Sequence, residues 1–230
     1  MGKSMHRGRL VLPALMFLYL VTVAAGCRSV PRPEPTATTE RWVCPEFADL
    51  PLRLGLYEEA VKEHRRVLLE EPDHALAHYH LGYAYGQVGA HSLEVEEYVR
   101  AIDLGLTRED LFYNLGMAYA ELGVLDEAEQ AFSQAVTMAP ANGDNRRALG
   151  MVYYEQHLFH EAIASCEQAT RLEPENPHAW YCLALALAGA GKMEDSQAAV
   201  DEVRRLDAHY PLDPLLLELL PRSVGENQSP

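Results

Sequence analysis

The chain of 230 residues carries 34 acidic side chains against 19 basic ones, a formal net charge of −15. A surface of that sign repels phosphate backbones and anionic headgroups, which excludes nucleic acid as a partner and excludes membrane contact through a basic face. Any attachment to a bilayer has to come from a local anchor.

The first residues supply one. Lys3, Arg7 and Arg9 precede an apolar run from Leu10 to Ala25, and no acidic residue occurs before Glu34. A positive head followed by a short apolar core reads as a secretory signal, too short for a comfortable membrane span. Its removal takes away Lys3, Arg7 and Arg9 and moves the net charge from −15 to about −18. Val23-Ala24-Ala25-Gly26-Cys27 resembles the bacterial lipobox, with Ala24 where leucine is usual. The resemblance implies that residues 1–26 are a lipoprotein signal peptide, and that Cys27 is acylated and becomes the mature N-terminus. Arg28, in place of aspartate, resembles lipoproteins sorted to the outer membrane. A plain signal or an uncleaved anchor is the alternative; only the lipid requires Cys27. Residues 27–40, rich in proline and threonine, read as an extended tether reaching on the order of 40 Å.

The organising unit is Glu109 to Asn142, two amphipathic helical patterns joined by a turn at Gly123. Phe112, Leu115, Tyr119 and Leu122 recur at three- and four-residue steps on one helical face, together with Gly116. A helical glycine costs about 1 kcal/mol against alanine, and close approach of a second helix is the compensating gain. Ala128, Phe132 and Ala135 form the matching face, with Asp126 as the predicted cap of the second helix and Pro140 beyond its end.

Steps of 34 residues carry Gly116 to Gly82, Gly150 and Ala184, Tyr119 to Tyr85, Tyr153 and Leu187, and Leu115 to Leu81, Leu149 and Leu183. Several columns thus share one register, and a helix-turn-helix unit of this period is that of the tetratricopeptide repeat. The chain resembles that family from Arg41 to Tyr210, about three quarters of its length. The resemblance implies an all-α fold, a right-handed superhelical solenoid of five repeats at residues 41–74, 75–108, 109–142, 143–176 and 177–210.

The outer repeats depart from the pattern. In the first, Pro51 is expected to interrupt the leading helix, as befits a terminal repeat with one side facing water. In the second, Glu94 and Leu106 replace an alanine and a proline, and a looser helix pair is expected. In the fourth, His157 stands in the glycine position of the turn. Residues 211–221 hold a short leucine-rich helix opened by Asp213-Pro214, expected to cap the apolar edge of the fifth repeat, with a docking or dimer surface as the sharper alternative. Residues 222–230 read as a disordered tail.

Catalytic signals are lacking. Cys44, Cys166 and Cys182 remain once Cys27 is acylated; none has CxxC spacing. Cys166 and Cys182 can approach each other on adjacent helices, as a disulfide or as small buried apolar residues. His74, His78 and His80 cluster in sequence, but no carboxylate at ligand spacing completes a site. His157-Leu158-Phe159-His160-Glu161 matches neither HExxH nor HxxEH. We therefore expect no metal, no cofactor and no enzymatic activity.

Binding then falls to surface. By resemblance to the family, the inner groove is lined by Tyr79, Tyr83, Tyr113, Met117, Arg147, Met151, Tyr154, Tyr181 and Leu185, with Asp110, Glu121, Asp144 and Glu155 at its rim. An aromatic and methionine floor with acidic walls suits an extended peptide or amphipathic helix carrying positive charge; the alternative is that the tyrosines only pack between helices. Of the clamp that grips a terminal carboxylate in chaperone-binding relatives, Asn114 alone is present. Three functions remain: a lipid-anchored scaffold for protein partners in a bacterial envelope machine, on the periplasmic face of the outer membrane; a pilotin-like carrier of an outer-membrane subunit of a pilus or secretion system; or a groove-based enzyme or ligand-binding protein.

Overall fold

The computed structural model describes residues 43–220. The signal peptide, Cys27, the tether and the C-terminal tail lie outside those residues. Eleven helices and no strand occur among the described residues: α1 (Glu46–Arg53), α2 (Tyr57–Glu70), α3 (Ala75–Gln87), α4 (His91–Asp103), α5 (Glu109–Glu121), α6 (Leu125–Met138), α7 (Gly143–Glu155), α8 (Phe159–Leu172), α9 (Pro177–Gly189), α10 (Met193–Leu206) and α11 (Pro214–Leu219). None of them is long and apolar enough to cross a membrane.

The 34-residue register is visible in the backbone. The chain turns within each helix pair at Gly55, Gly89, Gly123, His157 and Gly191, with φ of +71°, +76°, +72°, +60° and +77°. Each turn closes the preceding helix with a pair of bonds. At Gly123 they run from Gly123 N–H to the Ala120 carbonyl and from Val124 N–H to the Tyr119 carbonyl, both 2.9 Å. The turn at His157 makes the same pair, from His157 N–H to the Tyr154 carbonyl and from Leu158 N–H to the Tyr153 carbonyl, so the register holds even where the residue is one that enters this region at a cost.

That turn geometry also corrects one expectation. Asp126 does not cap α6: Val124, the residue that completes the turn, is already the N-cap, and no side chain caps the helix. The connection is so tight that the residue completing one turn is the N-cap of the next helix. Asp126 instead accepts a hydrogen bond from Gln156 Nε2 at 3.2 Å, across to the fourth repeat. Side-chain caps occur between repeats, where the loops are longer. His74, Asn142 and Asn176 stand one or two periods apart and cap α3, α7 and α9.

The middle repeats pack through one pair of positions. Gly82 faces Tyr98, Gly116 faces Phe132 and Gly150 faces Cys166; the same register positions hold Ala48 and His64 in the first repeat and Ala184 and Val200 in the fifth, and every second member is buried. A methyl at Gly82, Gly116 or Gly150 would stand 2.7, 2.9 or 2.6 Å from its partner's side chain. Absence of Cβ is therefore what lets each helix pair close on the larger group. The second repeat is no exception, contrary to the looser pairing expected from Glu94. Its carboxylate fits because Gly86 offers no side chain, a Cβ there lying 2.4 Å from Oε1. Leu106 is fully buried in the same core.

Pro51 does not interrupt α1 but lies inside it, buried. It falls in the last turn, so only the bond to the Phe47 carbonyl goes unmade. Cys166 of α8 and Cys182 of α9 are joined as a disulfide with Cα atoms 5.7 Å apart. Closing a loop of 16 residues stabilises by about 3 kcal/mol in the chain-entropy view.

The first helices of successive repeats touch in an unbroken row, α1 on α3, α3 on α5, α5 on α7 and α7 on α9. No two second helices are in comparable contact among the described residues. The row of first helices thus forms the inner face of a solenoid, and the second helices splay outward.

Candidate functional site

Two adjoining hollows lie on the inner face. The larger, about 420 Å³, is lined by Tyr113, Met117, Leu125, Phe132, Arg147, Met151 and Glu155. The smaller, about 290 Å³, is lined by Tyr83, His91, Glu94, Tyr98, Tyr113, Met117 and Glu121. Tyr113 and Met117 belong to both, so the second, third and fourth repeats share one continuous floor. Met117, at 40% exposed, is the most open apolar residue of that floor. Its helix, α5, presents Tyr113 and Met117 four residues apart on one face because the opposite face is occupied by Leu111, Leu115 and Ala118 in the core.

Some of the charges around the floor are paired. Arg147 reaches back to Asp144, with Nη2 3.0 Å from Oδ1. Glu121 and Glu155 line the two hollows and form no ion pair among the described residues. Burial pushes the Glu94 carboxyl upward, against the pull of His91, whose Nδ1 lies 2.9 Å from Oε2. The groove thus offers apolar and aromatic surface with free carboxylates at its edge.

The remaining predicted residues are placed differently. Tyr79 is buried, and its hydroxyl donates to Asp110 Oδ2 at 3.1 Å. Arg108 bonds the same carboxylate through Nε and Nη2 and lies 5.1 Å above the Tyr79 ring. Burial opposes ionisation of Asp110, but Arg108 and Tyr79 outweigh it and hold the carboxyl below its ordinary value. Tyr79 therefore joins the second repeat to the third and backs the groove rather than lining it. Leu185 is buried too.

The C-terminal segment packs into the same buried cluster as Leu185. The Tyr210 ring packs 5.1 Å from His178 and 5.3 Å from Tyr181, and its hydroxyl is 2.8 Å from His178 Nδ1. Asp213 approaches Tyr181 and Tyr154. Leu216 and Leu220 of the C-terminal segment are buried in the cluster that contains Leu185, against which Met151, Tyr154 and Tyr181 also pack. His178, Tyr181 and Leu185 recur at three and four residues, so this segment runs along the groove face of α9. It was expected to cap the edge of the fifth repeat; it also closes that end of the groove. Its outer face leaves Leu215 and Leu219 exposed.

The histidines singled out by their sequence spacing do not meet. His74 caps α3 through Nδ1 and holds the Val43 carbonyl through Nε2, while His78 binds Glu97 and the Pro72 carbonyl. A different group does meet. One ligand atom from each of Cys44, Asp49, His64 and His80 lies within 4.8 Å of the others. Short-range spacing could not find it, since its members come from four segments. The available signal was the register: His64 and His80 stand three periods before Cys166 and Cys182, the pair that forms the disulfide.

Comparison with solved structures returns helical-repeat proteins of the same fold. A crystal structure of MamA superposes with a TM-score of 0.68 at 20% identity, covering 72% of this chain and 97% of that one. YrrB, described as a TPR protein with an unusual peptide-binding site, gives 0.68 at 22% identity over 75% of this chain and 87% of its own. MamA from Desulfovibrio magneticus RS-1 gives 0.67 at 19% identity, over 70% and 92%. Among curated proteins no sequence matches. Family models described as Tetratricopeptide repeat match residues 46–105, 109–142 and 147–211. With well over half of its residues so matched, and its helix pairs in one unbroken register, the chain belongs to the tetratricopeptide repeat family.

Proposed function

We propose that the protein is a membrane-anchored scaffold for protein partners, holding a peptide or amphipathic helix against Tyr83, Tyr113, Met117 and Met151. The observation that carries this reading is the continuous apolar floor across three repeats, edged by the carboxylates of Glu121 and Glu155. Such a surface favours a segment with aliphatic side chains and some lysine or arginine. The lipobox-like Val23 to Cys27 supports lipid anchoring, and Arg28 supports the periplasmic face of the outer membrane as its place. An envelope machine under assembly is then the natural class of partner.

The experiment is site-specific photocrosslinking in intact cells of the source bacterium, with the probe at position 117 and a control at Ser133 on the outer helix α6. A band seen at 117 and not at 133, and lost in Met151→Glu, is the expected result. Equal crosslinking at both positions would move the binding surface off the groove. Cys27→Ser separates two roles: loss of the partner from the envelope marks a carrier of the pilotin type, whereas a partner that stays in place but unattached to this chain marks a scaffold.

A further inference from the structure

We propose that Cys44 Sγ, an Asp49 carboxylate oxygen, His64 Nε2 and His80 Nδ1 bind one zinc ion, which fastens the N-terminal end of the solenoid. The four side chains come from the segment before α1, from α1, from α2 and from α3. His64 Nε2 lies 3.3 Å and His80 Nδ1 2.9 Å from the same Asp49 Oδ1. Ligands bound to zinc at about 2.0 to 2.3 Å in a tetrahedron stand roughly 3.3 to 3.7 Å apart. The group, with every ligand atom inside 4.8 Å of the rest, needs only side-chain rotation to reach that arrangement. Cys44 precedes the first helix.

The hydrogen bonds of His64 give the second, independent reason. Its Nδ1 is 3.0 Å from the Ala60 carbonyl oxygen, which can only accept, so Nδ1 carries the ring proton. Nε2 is then the nitrogen that faces the Asp49 carboxylate oxygen. The side chain is completely buried, and a backbone carbonyl fixing the far nitrogen is the usual outer support of a ligating histidine. Cys44 is buried as well. On binding, its thiol proton passes to solvent as the sulfur–zinc bond forms. Thiolate and carboxylate together then cancel the charge of the ion, so no net charge is left in the core.

The repeat register supplies a third reason. His64 and His80 are 16 residues apart and occupy the positions that Cys166 and Cys182 occupy three periods later. At those positions the second helix of one repeat and the first helix of the next approach to a Cα separation of 5.7 Å, close enough for a covalent bond. The same approach in the first and second repeats brings together two imidazoles, their centroids 5.3 Å apart and their planes perpendicular. A set of one sulfur, two nitrogens and one carboxylate oxygen, all four from protein, describes a closed structural zinc site rather than a catalytic one. Its place is the open end of the solenoid, where α1 has only eight residues.

The test uses the full chain, freed of metal with a chelator and titrated with Zn²⁺ by calorimetry and with Co²⁺ by absorption. One equivalent per chain is expected, with the intense visible bands of four-coordinate cobalt and a thiolate-to-cobalt charge-transfer band. Cys44→Ser should abolish the charge-transfer band while the fold is retained. His80→Ala, at a half-buried ligand, should weaken binding by more than the 10- to 100-fold typical of losing an outer support, and should remove the rise in melting temperature that zinc gives the wild type. Exchange of the surface histidines His157 and His160 for alanine should change neither. Binding well below one equivalent, a charge-transfer band that survives Cys44→Ser, or zinc affinity unchanged in His80→Ala would each overturn the assignment.

Discussion

Replacing Gly116 by alanine sets two physical effects against each other, and their signs differ. Alanine is the better helix former by about 1 kcal/mol, so propensity alone says that G116A stabilises. Packing says the reverse. The new methyl would sit 2.9 Å from Cγ, Cδ1 and Cε1 of Phe132, where ordinary carbon contacts are about 3.5 to 4.0 Å. The ring must therefore retreat by at least about half an ångström. It is buried, with the Tyr113 ring edge-on at a centroid distance of 5.6 Å, so it cannot retreat alone. Overpacking of this kind costs about 1 to 3 kcal/mol, which leaves a net loss of about 1 kcal/mol and a fall in melting temperature of about 2 to 4 °C. Urea denaturation followed by far-UV circular dichroism measures it, with the disulfide kept oxidised. Phe132→Leu is then added in both backgrounds. Because leucine withdraws the ring atoms that clash, it should cost less in G116A than in the wild type, with a coupling of about 1 kcal/mol. A midpoint that rises in G116A, or a coupling near zero, would refute the claim that missing Cβ atoms set the helix spacing.

Two further outcomes follow from single residues. His157 holds φ at +60° where the other four turns have glycine, so His157→Gly should stabilise by about 0.5 to 1 kcal/mol; a melting temperature that falls would mean that the imidazole makes a contact worth more than the backbone cost. His78 presents Nδ1 to Glu97 and Nε2 to the Pro72 carbonyl. Burial works against the charged ring, but these acceptors prevail and raise it above 6.5. Its contribution is therefore complete below pH 6.5 and is lost as pH rises through the raised value. His78→Gln should cost about 1 to 2 kcal/mol at pH 6 and less at pH 9, read from the difference between the two unfolding curves across that range; a penalty that grows with pH would reverse the assignment.

The period was legible because it is written in residues whose role is steric. Gly116, Gly82 and Gly150 can be seen in a sequence as small positions opposite large ones, and that relation survives when Phe132 becomes Tyr98 or Cys166. The turn column was legible for a similar reason, being one backbone shape repeated. What escaped depends on where a segment goes after the register ends. Residues beyond Tyr210 have no equivalent in the repeat, and the choice of Leu216 and Leu220 for the groove face of α9 is a tertiary contact with no periodic trace. Pro51 and Asp126 were misjudged through rules for isolated helices, which do not know that one helix ends in its last turn at residue 53 or that a three-residue connection leaves no room for a separate cap. Of the predicted groove, Tyr113, Met117 and Met151 line the hollows, whereas Tyr79 faces the same way and is consumed by Asp110 and Arg108. Direction was readable from the sequence; competition for that direction was not.

A solenoid gains stability from each repeat and its immediate neighbours, so it loosens first at its ends. Here both ends carry additional ties. Cys166 and Cys182 bond the fourth repeat to the fifth, and residues from Tyr210 to Leu220 fold over that junction. At the other end Cys44, Asp49, His64 and His80 gather four segments of the first two repeats, with zinc, as we propose, at their centre. The open floor around Tyr113 and Met117 lies between these ties, on repeats that are themselves joined through Tyr79, Asp110 and Arg108. A groove whose ends cannot fray loses less order when a partner arrives, and the saving appears as affinity. On this reasoning reduction of the disulfide acts on binding from a distance: the melting curve of the fifth repeat shifts first, and the partner's affinity falls through faster dissociation while its contacts with Met117 stay the same.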